Sequence, residues 1–215
     1  MSDWLVTDDH IQYLQGKPGS LFGPSDNMTR AEVAQMFYNL LLNKDVAVTT
    51  SFSDVAEDAW YAEAVNVLAS MGILKGTGGG KFDPMRSITR AEFTTIAMRF
   101  ANLDVTGENI FTDVAEDAWY YDYIIGSIKY GWINGYGDGT FRPENTITRA
   151  EVTIITNRML GRSADKAYVD SNMDSLKQFV DLDTSNYAYY DIMEATNAHD
   201  FTKEEGVESW TGLNK

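Results

Sequence analysis

Cysteine is absent from this 215-residue chain. Disulfides, thiolate metal sites and cysteine nucleophiles are therefore excluded, although the compartment is not thereby decided. Histidine occurs only twice, as His10 and His199 in unrelated sequence contexts, so no histidine-rich metal site is expected. Basic residues are also scarce: 17 Lys and Arg stand against 32 Asp and Glu, for a formal charge of -15. Without a basic run, nucleic-acid binding is not expected, because it needs a concentrated cationic face. An anionic partner would require a local cationic pocket that overcomes the general repulsion. No stretch approaches the roughly 18 apolar residues of a membrane span, and no membrane insertion is expected. Met1 to Val6 contain neither a basic segment nor a small-residue cleavage site, so no secretory leader is expected there. No nucleophile triad, glycosidase acid pair or cofactor signature emerges, and the chain reads as non-catalytic, with no cofactor and no metal.

What the chain does contain is repetition. Thr-Arg-Ala-Glu is written three times, at Thr29–Glu32, Thr89–Glu92 and Thr148–Glu151. Gly16, Gly76 and Gly135 each lie 14 residues before the corresponding arginine, and Phe22, Phe82 and Phe141 each lie eight before it. Pro24, Pro84 and Pro143 lie six before it. Upstream, Asp54–Tyr61 reads DVAEDAWY, and Asp113–Tyr120 repeats it letter for letter. One unit thus runs Phe-x-Asp-Val, a Trp-Tyr helix, a glycine turn, a strand-like Phe-x-Pro stretch and the Thr-Arg-Ala-Glu helix. Fixed offsets of this kind define a structural array.

Within each unit the threonine suits an N-cap, and the glutamate three residues later completes a capping box: Thr29 with Glu32, Thr89 with Glu92, Thr148 with Glu151. Helically spaced apolar stripes follow, Val33, Met36, Phe37 and Leu40, then Phe93, Ile96, Ala97 and Phe100, then Val152, Ile155, Met159 and Leu160, the last interrupted by Thr156. The other helix is expected to begin near Asp58 or Asp117 as N-caps, and a remnant of it to survive at Trp4, Leu5, His10, Ile11 and Leu14. The glycine runs Gly76–Gly80 and Gly135–Gly139 suit turns that other residues resist. They lack the P-loop pattern, and Asp138 alone does not make a calcium loop.

Arg30, Arg90 and Arg149 occupy the first helical position, where the macrodipole disfavours a cation. Two roles are open. Each arginine pairs with a neighbouring carboxylate such as Asp54, Asp113 or Asp181, or its fork joins free backbone N–H groups at the helix start to receive an anion. Three such sites near glycine turns and aromatic residues would suit a carbohydrate polymer carrying acidic groups. Trp60 and Trp119 are open between core packing, the more common role beside a helix start, and stacking on a sugar. Trp132 and Tyr136 flank the fullest glycine loop and read as surface contacts.

The phrases FSDVAEDAWYAEAVNVLASMGILKG and FTDVAEDAWYYDYIIGSIKYGWINGYGDGTFRPENTITRAE resemble S-layer homology repeats over roughly residues 3 to 161, with a weaker continuation at 179 to 200. The resemblance implies a mainly α fold, with tandem helix-loop-helix repeats and short extended segments in a pseudo-threefold assembly. It also implies a module of the bacterial cell wall or S-layer that binds acidic secondary cell-wall polysaccharide, often through a pyruvylated amino sugar, in grooves between repeats. Carried over by motif, the ligand contacts would be Arg30, Arg90, Arg149, Trp60, Trp119, Gly76 and Gly135, with Tyr136 in the last loop only. Neighbouring surface-protein domains are further partners, and a structural or protein-interaction array without glycan recognition is the alternative. Thr77 and Lys17 replace the loop tyrosine in the first two copies, so the grooves are expected to be unequal.

The expected segments are repeat one at 1–50, lacking its opening, repeat two at 51–109, repeat three at 110–161, a connector at 162–178 and a partial repeat at 179–215. In the last, Phe179-Val180-Asp181-Leu182 revives the repeat opening, and Ile192, Met193 and Ala195 suggest a first helix. This half-repeat either caps the array or closes a ring with repeat one. Closure requires direct contact between 179–200 and the N-terminal helix.

Overall fold

Each Thr-Arg-Ala-Glu run starts a helix in the structure, a computed structural model that describes residues 3–101, 105 and 107–214. Met1 and Ser2, at the start of the segment read for a leader, lie outside the described residues. The helices are α1 (Arg30–Asn39), α2 (Ala62–Ser70), α3 (Arg90–Arg99), α4 (Tyr121–Tyr130), α5 (Arg149–Leu160), α6 (Lys166–Ser171) and α7 (Tyr189–Thr196). An antiparallel hairpin follows, β1 (His199–Glu204) and β2 (Val207–Leu213). At the starts of α1, α3 and α5 the threonine hydroxyl accepts the glutamate N–H, and the glutamate carboxylate accepts the threonine N–H. Both donors are thereby satisfied where helices leave them open. The fold is mainly helical, with repeated pairs: α1 packs on α2, α3 on α4, and α5 on α7.

The chain divides into two compact units, Asn27–Ile147 and Trp4–Asp26 with Thr148–Lys215. In the first unit, the residues preceding the three capping threonines meet. Met28 donates to the Ile147 carbonyl (3.2 Å), Ile147 to that of Ile88 (3.2 Å) and Ile88 to that of Met28 (2.9 Å). The repeated segments are thus joined in a closed cycle of backbone hydrogen bonds. Around them, Phe37 packs against Phe93 and Phe100 at ring separations of 5.9 and 5.0 Å. All three rings are buried, each burial contributing roughly 1.5–3 kcal/mol.

One expectation fails at α2 and α4. They begin at Ala62 and Tyr121 without a side-chain cap. Successive tight turns, Ala59 N–H to Ala56 and Ala62 N–H to Ala59, then Ala118 to Ala115 and Tyr121 to Ala118, occupy the preceding residues. Asp58 and Asp117 therefore precede their helices by a full turn and cannot cap them.

In the second unit no helix forms among the described residues before Arg30, contrary to the remnant expected over Trp4–Leu14. The amides of that segment are used elsewhere: Tyr13 and Leu14 both donate to the Ala195 carbonyl at the end of α7, at 3.1 and 3.2 Å. The His10 carbonyl accepts from the His199 N–H. The N-terminal helix that closure requires does not form among the described residues, but residues 179–200 do contact the segment that stands in its place. Val180 N–H reaches the Ser20 carbonyl, and the Asp181 carboxylate accepts Phe22 N–H and Gly23 N–H, both at 2.7 Å. Within the second unit the half-repeat thus lies directly against the Ser20–Gly23 stretch. The polar connector includes α6, whose N-cap Asp165 accepts the Tyr168 N–H. The hairpin, which the sequence reading did not anticipate, turns at Glu205 and Gly206, both at positive φ as a two-residue turn requires.

Candidate functional site

Asp54, Asp113 and Asp181 hold the Phe-x-Pro stretches. Asp54 accepts the N–H groups of Phe82 and Asp83, Asp113 those of Phe141 and Arg142, and Asp181 those of Phe22 and Gly23. Burial alone would raise the Asp54 and Asp181 pKa values, but these backbone donors outweigh it and hold both below the usual aspartate range. The oxygens of the three aspartates are thus engaged by the backbone, and the carboxylate that Arg30 meets is Glu92, not Asp54. In the middle of the stretches Asp83 and Arg142 adopt left-handed φ values of 56° and 57°, where the first copy has Gly23.

The other reading, an anion received at the helix start, also meets occupied donors. Arg30 N–H donates to Arg86 O and Ala31 N–H to Pro84 O; at α3 the acceptors are Asn145 O and Pro143 O, and at α5 Asp26 O and Pro24 O. The capping threonines accept the following N–H groups.

The arginine side chains instead clamp the two ends of a glycine loop. Arg30 donates from Nε to Phe82 O (2.8 Å) and from Nη2 to Lys75 O (2.7 Å), the carbonyl just before Gly76. Arg90 reaches Phe141 O and Asn134 O, and Arg149 reaches Phe22 O and Gln15 O, in the same pattern. All three are about 95% buried, at 4–5% exposure, and lie over the ring of the phenylalanine whose carbonyl they hold. Arg30 also donates to Glu92 at 3.0 Å. Burial lowers the Arg30 pKa against the opposing charge of Glu92. Burial raises that of Glu92, but hydrogen bonds from Arg86 and Thr89 N–H, with the Arg30 charge, hold it below its usual range.

The loop glycines are fixed by close approach. A Cβ on Gly76 would lie 2.5 Å from Lys81 O and 2.7 Å from the Phe52 ring. On Gly16 it would lie 2.5 Å from the Phe179 ring, and Gly135 faces Phe111 in the same way. The aromatic expectations divide. Trp60 and Trp119 are each 59% exposed, overturning the packing role favoured for them. Trp132 is the reverse: it is buried and stacked on Tyr130 at 4.5 Å, because its position just past the α4 C-cap turns it inward. Tyr136 has the guanidinium groups of Arg142 and Arg90 at 4.0 and 4.8 Å from its ring centre.

One pocket of about 410 Å³ gathers several of these residues. Arg30 and Glu92 lie in its wall with Gly76 and Thr77 from the loop, Trp119, and two residues outside every repeated motif, Arg99 and Tyr123. Trp60 does not line it. Arg99 donates to the Ile73 carbonyl (2.7 Å), stands 5.5 Å from the Tyr123 ring centre, and pairs with no carboxylate among the described residues. A cationic wall beside an exposed indole can attract an acidic group and stack an apolar sugar face. Only spatial convergence brings Arg99 and Tyr123 to the pocket: Arg99 shares its helix offset with Arg158 alone, and Tyr123 stands where the second repeat has Ala64.

Among the described residues no helix is long and apolar enough to cross a membrane. Comparison with known proteins matches the S-layer homology domain at residues 12–34, 51–94 and 110–153, together just over half of the chain. The chain is 33% identical over 97% of its length to "Cell surface glycoprotein 1" of Acetivibrio thermocellus, covering 9% of that protein. It is 35% identical over 93% of its length to the "Cellulosome-anchoring protein" of the same organism, covering 45% of it. To "S-layer protein sap" of Bacillus anthracis it is 32% identical over 66% of its length, covering 17%. The chain thus spans less than half the length of each of these relatives. Three family matches on three copies of one loop-and-helix unit lead to one assignment: the chain belongs to the S-layer homology domain family, non-catalytic modules of the bacterial cell surface that anchor to the cell wall.

Proposed function

We propose that this module holds its parent protein on the wall by binding an acidic secondary cell-wall polysaccharide, with a pyruvylated amino sugar as the recognised unit. The observation that carries the reading is the pocket in which exposed Trp119 stands with Arg30, Arg99 and Gly76. In a chain of formal charge -15, a local pair of guanidinium groups is the feature that can reverse the general repulsion of an anion. Trp119 stacks on the sugar ring, Arg99 meets the carboxylate, and Arg30 holds the carbonyls of Lys75 and Phe82, so that the glycine loop keeps its shape while its charge favours the anion. Arg90 with Gly135 and Tyr136, and Arg149 at its own glycine loop, are the corresponding elements of the other grooves, and exposed Trp60 offers a further stacking surface. Their loops differ in sequence, and unequal affinities are expected.

The second reading, a structural or protein-interaction array, draws on the arginines' internal partners: Arg30 already serves Glu92 and two carbonyls. Sedimentation with purified cell walls, before and after selective removal of the secondary polysaccharide, separates the two. The glycan reading expects binding to be lost with the polysaccharide. Equal binding to both wall preparations would reject it in favour of the second.

A further inference from the structure

His10 and His199 stand in unrelated sequence contexts, yet in the second unit they touch. The segment carrying His10 runs beside the end of α7 and the start of β1. His10 Nδ1 lies 2.9 Å from His199 Nε2 and 2.9 Å from Glu194 Oε1, while His199 Nε2 lies 3.5 Å from Glu194 Oε2. All three side chains are buried, at 3% exposure or less.

We infer that His10, Glu194 and His199 form a zinc site. His199 Nδ1 is 2.8 Å from the Asn197 carbonyl, a pure acceptor, so Nδ1 carries the proton and the Nε2 lone pair faces the cluster. Metal-bound histidines are characteristically oriented in this way. The other nitrogen of His10 faces the Glu208 carboxylate at 3.9 Å, and Glu208 is itself held by Ser163 N–H and Lys203. His10 stacks on Phe201 at 3.8 Å and His199 on Trp210 at 3.6 Å, which fixes both ring planes.

The decisive observation concerns Glu194. It is fully buried, and neither of its oxygens closes a hydrogen bond of good geometry, although His10 Nδ1 and the Trp210 N–H both approach it. Arg162, the neighbouring cation, donates from its Nη atoms to the carbonyls of Val6, Asp9 and Ile11, and its buried Nε closes no hydrogen bond to Glu194. A buried carboxylate in this state is costly unless a cation satisfies it. Zinc bonds to nitrogen and oxygen are about 2.0–2.2 Å, which places the donors of a tetrahedral site roughly 3.3–3.5 Å apart. The observed separations of 2.9, 2.9 and 3.5 Å need only slight opening to reach that geometry. Two imidazoles and a carboxylate suit zinc among the available divalent ions. Bound there, zinc would pin the N-terminal segment to α7 and the hairpin, across a separation of 189 residues between its two histidines.

The test uses the full chain, stripped with a chelator and titrated with Zn²⁺ and separately with Co²⁺. Expected are one zinc per chain, a raised thermal midpoint, and the intense visible absorption of four-coordinate cobalt. Folded His199→Gln and Glu194→Gln variants should each bind zinc more than about a hundredfold more weakly. Absence of zinc binding by the wild type would overturn the inference whatever the variants do. So would the faint spectrum of six-coordinate cobalt, which marks surface carboxylates, or undiminished affinity in both folded variants. If the variants do not fold, stoichiometry and the cobalt spectrum of the wild type decide.

Discussion

Changing Gly16 and Phe179 to alanine, singly and together, probes the contact between the half-repeat and the first glycine loop. The two residues are far apart in sequence, yet a Cβ on Gly16 would sit 2.5 Å from the Phe179 ring and 3.0 Å from Leu21 O. Gly16 is not at a left-handed φ, so alanine is penalised there by contact and not by backbone strain. Overpacking of this kind costs about 1–3 kcal/mol. Phe179 is 92% buried, at 8% exposure, and packs on Phe22 at a ring separation of 5.4 Å. Its truncation should cost about 3–5 kcal/mol, lowering the midpoint by roughly 6–20 °C for a chain of this size. In the double variant the new methyl enters space that the ring has left, and the combined loss should fall short of the sum by about 1–2 kcal/mol. Urea unfolding with an unchanged m-value is the assay. Additivity within about 0.5 kcal/mol would refute the idea that Phe179 packs against the first glycine loop.

Other predictions follow from the same contacts. Thr29→Ala, Thr89→Ala and Thr148→Ala should each lower stability by about 1 kcal/mol in denaturant unfolding, through loss of a capping box; no loss at any of them would contradict the capping account. The Asp54 and Asp181 pKa values are depressed on folding, so their contribution is fully present above 3.8 and lost as pH falls through their lower folded values. Asp181→Asn should accordingly flatten the acid limb of a midpoint-versus-pH curve, and an unaltered limb would count against the role given to that carboxylate. Wall binding should weaken as salt rises, because Arg99 is only part-buried and its attraction is screened; salt-independent binding would argue against an anionic ligand.

Local physics made much of this legible. The capping boxes and their apolar stripes could be read from residues three and four apart, since both signals are complete within one helix. The half-repeat at Phe179 could be read because its opening copies Phe52 and Phe111. Other features depend on residues distant in sequence. The carbonyl acceptors of Arg30, Arg90 and Arg149 carry no side-chain signature, so the clamp on the glycine loops was invisible. The segment Trp4–Leu14 kept the apolar residues of a helix, but its amides were claimed by α7 and β1. His10 and His199 looked unrelated for the same reason. Exposure of Trp60 and Trp119 followed from turns that delay α2 and α4, a boundary effect that repeat spacing does not encode.

The glycan account is tested most directly by calorimetric titration of purified secondary cell-wall polysaccharide into the wild type and into Trp119→Ala and Arg99→Gln. Trp119 is largely exposed and Arg99 part-exposed, so both variants should keep the wild-type fold by circular dichroism. Removing a stacking indole is expected to cost roughly 1–3 kcal/mol, or about 5- to 150-fold in affinity at that pocket. Losses of this size in both folded variants are the predicted result. Wild-type affinity and stoichiometry in both would contradict the assignment of glycan binding to the Arg30 pocket.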